Sequence, residues 1–68
     1  MEIKWLDDYR IRITVDNHST TISANREGLL SLAEQLTALA GESRGSHIHY
    51  DENNSLEEGS DELIIERI

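Results

Sequence analysis

"YRIRITV", residues 9–15, alternates apolar and polar side chains without a break. Tyr9, Ile11, Ile13 and Val15 fall on one side, with Arg10, Arg12 and Thr14 on the other. A period of two, reinforced by β-branched residues, is the signature of a half-buried strand. Upstream, "EIKWL" (2–6) alternates in the same way, placing Ile3 and Trp5 opposite Glu2, Lys4 and Leu6. Asp7-Asp8 between the two runs suits a tight reversal. Downstream, "DNHS" (16–19) is turn chemistry, since Asp and Asn tolerate tight or left-handed backbone. "TTIS" (20–23) then returns with Ile22 inward. The first third of the chain reads as a three-stranded meander.

Beyond it the period changes. Within "NREGLLSLAEQLTALAGE" (25–42), Leu29, Leu32, Ala33, Leu36, Leu39 and Ala40 recur at three- and four-residue spacing, the stripe of an amphipathic helix. Asn25 suits the N-cap, Glu27 the positive first turn and Gly41 the C-terminal stop. The stripe is too short for a coiled-coil seam and reads as core packing. "ESRGS" (42–46) is a loop, and "HIHYD" (47–51) alternates with Ile48 and Tyr50 inward. "ENNSLEEGSDE" (52–62) is a long polar connection. "LIIERI" (63–68) closes with Leu63 and Ile65 on one face and Ile64, Glu66 and Ile68 on the other. The expected fold is α+β: one small domain over residues 1–68, in the order β-β-β-α-β-β. A mainly antiparallel sheet carries one helix packed on one face, and its other face stays open to solvent or a partner.

A chain of 68 residues buries only about 60% of the surface its unfolded form exposes. Cysteine is absent, which removes disulfides and thiol mechanisms and fits a reducing compartment. No apolar run approaches the ~18 residues of a membrane span. The N-terminal residues lack the basic and apolar regions of a signal peptide, so a cytoplasmic protein with no membrane partner is expected. Fourteen acidic residues face six basic ones, for a net charge of −8. Such a potential steers cationic partners and repels nucleic acid, although acidity also serves plain solubility. Without an aromatic ladder beside the few basic residues, nucleic-acid binding is not expected.

If Ile48 and Tyr50 face the helix, His47, His49 and Asp51 face away from it, sharing the open face with Lys4, Arg10, Arg12 and Glu66. His-x-His is a spacing that zinc sites use. Yet Asp51 lies about 13 Å along the strand from His47, too far to share one ion with both histidines. His18 sits in a turn. The ligand set is incomplete, so no metal is assigned, and a metal protein using His47 and His49 is the weaker alternative. Asp51, Asn53, Ser55, Glu57 and Glu62 also match positions 1, 3, 5, 7 and 12 of a calcium-binding loop. Leu56, however, stands where that loop needs glycine, and strands flank it instead of helices. An acidic loop anchored by a buried Leu56 is the plainer account. Ser19, Ser43 and Ser60 sit in turn contexts, and no glycine-rich loop precedes the helix. His47 or His49 beside Asp51 could form an acid–base pair, but so small a chain has little room for a deep pocket. No enzyme activity, catalytic residue or cofactor is expected.

Two segments look familiar together: the helix "NREGLLSLAEQLTALA" (25–40) and the run "GSHIHYDENNSLEEGSDELIIER" (45–67). In the second, a Gly-Ser-His-x-His strand leads through "LEEGS" to a closing strand. The pattern is similar to the small immunity proteins of bacterial polymorphic-toxin systems, in particular the immunity protein 32 family. The first three strands add only general agreement. The resemblance implies a protein that protects its own cell by binding a co-encoded toxin, with no catalytic residues. An acidic protein suits a basic toxin. The expected contacts are Asp51, Glu52, Glu57, Glu58, Asp61 and Glu62 of the acidic loop, then Arg10, Arg12, His47 and His49 of the open face. The competing class is a homodimer or adaptor assembled through a free strand edge and the open sheet face, to which Ile64 and Ile68 would contribute.

Overall fold

Ile11 and Ile13, inward by alternation, are each 1% exposed in the computed structural model, which describes residues 1–68. They belong to β1 (Ile11–Asp16), which pairs antiparallel with β2 (Ser19–Ala24) from Ile11↔Ala24 to Asp16↔Ser19. The helix α1 (Arg26–Ala40) follows at once. A second antiparallel hairpin joins β3 (His47–Tyr50) to β4 (Leu63–Glu66), from His47↔Glu66 to Tyr50↔Leu63. Ile48, Tyr50, Leu32, Leu39 and Leu56 complete a single buried core with Ile11 and Ile13. The α+β class of small domain therefore stands. Each buried aliphatic side chain contributes about 1.5–3 kcal/mol, so a core of this size tolerates few losses.

Two expectations need correction. Residues 2–6 form no strand, which leaves the order β-β-α-β-β. The single sheet is also two separate two-stranded hairpins. The first correction has a cause in the helix. Ser31 Oγ accepts from the Leu6 N–H at 2.8 Å, and Gln35 Nε2 donates to the Lys4 carbonyl at 2.8 Å. Helix side chains thus take backbone groups of the N-terminal segment that a neighbouring strand would have used. Gln35 Oε1 also accepts from the Tyr50 hydroxyl at 2.8 Å, tying helix, segment and β3 together.

The same bonds rotate the helix away from its expected stripe. Its buried residues are Gly28, Ser31, Leu32, Gln35 and Leu39, whereas Leu29 (52%) and Leu36 (38%) are exposed. A buried glutamine is stable here because both ends of its amide are satisfied. Val15, expected inward, is 52% exposed, since nothing covers the far end of the first hairpin.

The second correction has its cause in residues 57–61. Glu57 N–H donates to the Ile11 carbonyl and Asp61 N–H to the Ile13 carbonyl, each at 2.9 Å. Ile13 N–H donates to Ser60 Oγ at 3.3 Å and Val15 N–H to Asp61 Oδ2 at 2.8 Å. This segment lies where a central strand would bridge the hairpins, but it answers β1 with a mixture of main chain and side chain. Leu56 just before it is 5% exposed, the buried anchor that the sequence implied.

Asn25 is the joint between the first hairpin and the helix. Its Oδ1 accepts from Gly28 N–H (2.8 Å), the N-cap bond, and from Arg10 N–H (2.9 Å), while its Nδ2 donates to the Asp8 carbonyl (2.9 Å). Gly28 is required by this closeness: a Cβ there would lie 2.4 Å from the Arg10 carbonyl oxygen.

Candidate functional site

The acidic connection from Asp51 to Glu62 carries most of the expected contact residues, and the fold gives nearly every carboxylate in it a partner. Asp51 Oδ1 accepts from the N–H groups of Asn53 (2.9 Å) and Asn54 (3.1 Å), which closes the turn leaving β3. Glu52 Oε2 accepts from Gly59 N–H at 2.8 Å, where Gly59 occupies a left-handed conformation (φ 87°). Asp61 holds Val15 as described. Glu57 lies between two guanidinium groups, 2.8 Å from Arg10 Nε and 3.4 Å from Arg12 Nε. The hydrogen bond from Arg10, helped by the charge of Arg12, lowers the Glu57 carboxyl below its ordinary value of 4.5. Arg10 and Arg12 are therefore committed to the loop.

Glu62 turns to His49. Its Oε2 lies 2.8 Å from His49 Nε2, and Asp51 Oδ2 lies 3.7 Å from the same nitrogen. The hydrogen bond with Glu62 raises the His49 imidazole above its ordinary value of 6.5, and the nearby charges of Glu62 and Asp51 add to it. His47 takes no part: its Nδ1 lies 3.4 Å from the Gly45 carbonyl, and its strand partner is Glu66. The His-x-His pair is thus split between two environments. Spacing along β3 sets Asp51 beside His49, and pairing across the second hairpin adds Glu62. Sequence reasoning missed the meeting of His49 with Glu62. The signal was the flanking position of Asp51 and Glu62, which end β3 and precede β4 once Tyr50 is set opposite Leu63.

On the same outward face of this hairpin, Ile64 stands opposite His49 and is 55% exposed, and Ile68 is 92% exposed. The surface clefts are open depressions. One is lined by Arg10, Arg12 and Glu57 with residues 23–25, and another by Ile3, Trp5 and Tyr50 beside His49. No helix is long and apolar enough to cross a membrane.

Fold and site describe a small acidic α+β protein whose polar chemistry lies on its surface. The chain belongs to the immunity protein 32 family, whose model matches residues 19–68, from the start of β2 through the acidic connection and β4. This membership points to a toxin-neutralising role, and proteins of this kind typically work by binding. No curated protein matches the chain, and no solved structure does.

Proposed function

We propose that this protein neutralises a cognate, co-encoded toxin of basic character by stoichiometric binding through its acidic surface, in the cytoplasm of the cell it protects. Family membership carries the reading, and the net charge of −8 supports its electrostatic part. Glu52 and Asp61, each accepting from a backbone N–H, present their carboxylates in fixed positions, Asp51 does the same beside His49, and Glu58 is exposed. Fixed charge of this kind steers encounter and reduces the ordering cost of binding. Glu57 and Glu62, shared with Arg10, Arg12 and His49, supply position more than field. His47 and His49 would touch the toxin from the adjoining open face.

The test is the association rate between this protein and the product of the neighbouring toxin gene, measured over a range of salt. A steep fall with added salt is expected. A salt-independent rate would remove the electrostatic part, and no complex at all would remove the reading. A homodimer is the second reading, favoured by the exposure of Ile64 on the non-core face of β4 and of Ile68 just beyond it. Light scattering at several concentrations separates the two: a strict monomer excludes the dimer.

A further inference from the structure

We propose that His49, Asp51 and Glu62 form a site for one divalent first-row transition ion, with zinc preferred to manganese and magnesium excluded. The site does not depend on the toxin-binding reading and would persist if that reading failed.

The geometry points there for three reasons. Each of the three residues presents one ligand atom, and these atoms all lie within 4.8 Å of one another. Zinc binds imidazole nitrogen and carboxylate oxygen at about 2.0–2.2 Å, so ligands at tetrahedral angles sit roughly 3.4 Å apart. The His49–Glu62 separation of 2.8 Å would open slightly and the His49–Asp51 separation of 3.7 Å would close slightly. Both adjustments are within the freedom of the exposed His49 and Glu62 side chains.

The second reason is the division of labour within Asp51. Oδ1 is occupied by the Asn53 and Asn54 N–H groups, which fixes the carboxylate and leaves Oδ2 turned to His49. Asn54 also donates from Nδ2 to the His49 carbonyl at 2.9 Å, so one turn locks the backbone at two of the ligands. Hydrogen bonds that orient a ligating carboxylate from outside are a regular part of metal sites.

The third reason is the ligand chemistry. One nitrogen and two oxygens favour a borderline ion, and for such sets affinity rises from manganese to zinc. Magnesium binds oxygen in near-ideal octahedra and has little use for imidazole. The half-exposed position leaves room for water, or for a donor from another molecule, to complete the shell.

The experiment is titration calorimetry of the full chain with zinc sulfate, manganese chloride and magnesium chloride in a non-chelating buffer, with imidazole chemical shifts followed in parallel. One zinc per chain is expected, with a shift of the His49 ring signals, weaker manganese binding and no magnesium binding. His49→Ala and Glu62→Gln should each weaken zinc at least about tenfold, and His47→Ala should leave it unchanged. Both ligands are surface side chains, and a melt of each variant in chelator establishes that it folds. Absence of a saturable zinc isotherm overturns the proposal. So does an equal loss in His47→Ala, which would assign the ion to the His-x-His pair alone.

Discussion

The two hairpins are closed in opposite ways. β1 and β2 are joined by Asn17 and His18, a reversal in which both residues take positive φ (48° and 69°). β3 and β4 are joined by the whole of residues 51–62. The regular hairpin is nevertheless the less integrated: Ser19 to Ser23 of β2 are all exposed, and β2 has only β1 for a strand neighbour. The irregular connection buries Leu56 and bonds four backbone groups of β1. Regularity and integration are separate properties. What embeds a segment is whether its groups meet the unpaired demands of something else.

The comparison can be broken most directly at Leu56. Leu56→Ala should cost about 2–4 kcal/mol, the usual range for a buried leucine. Ile22→Ala on the exposed strand should cost under about 1 kcal/mol, in proportion to the area it buries. Paired urea titrations check both, and equal losses would erase the contrast. Asp61→Ala comes next. Removing the acceptor of Val15 N–H should cost about 1 kcal/mol and speed amide exchange at Val15 more than at Thr14.

A smaller effect of opposite sign sharpens the other side. His18 holds a left-handed conformation that a side chain disfavours. His18→Gly should therefore raise stability by about 0.5–1 kcal/mol after the entropy of a freer unfolded chain is counted, and a thermal melt reads it. The smallest effect is one of pH. Because Arg10 and Arg12 lower the Glu57 carboxyl, their contribution is present above the ordinary carboxylate value and is lost as pH falls through the folded value. The gap in melting temperature between the parent chain and Glu57→Gln should begin to narrow as pH falls through the ordinary carboxylate value of 4.5 and close only below the lowered folded value. A constant gap would show that the side chain acts by packing alone.

Much of the fold was legible where a residue's environment depends on its near neighbours. Ile11 and Ile13 alternate and are buried; Asn25 stands before the helical stripe and caps it; His47 to Tyr50 alternate as drawn. Reading failed where the partner was distant. Residues 2–6 are alternating in sequence, but their amides and carbonyls are met by Ser31 and Gln35, and no periodicity says that a glutamine will face inward. The carboxylates of the acidic connection looked solvent-facing by composition. Asp61 is placed by a hydrogen bond left unmade on β1, and Glu57 by the Arg10 and Arg12 side chains, needs that belong to another part of the chain. His49 and Glu62 meet only because of the register of the second hairpin.

The N-terminal segment has a consequence for anyone who watches this protein unfold. Trp5 is the only tryptophan. It stacks on Tyr9, with ring centroids 4.3 Å apart, and meets the edge of Tyr50 at 6.1 Å. It sits on a stretch fastened by helix side chains instead of by a ladder, and such a stretch can lift away below the global free energy. Tryptophan emission thus reports the detachment of a strap, while far-ultraviolet circular dichroism reports the loss of helix and hairpins. The two melting curves should part, the fluorescence leading, and a single-wavelength fluorescence melt would assign the whole molecule the stability of that strap.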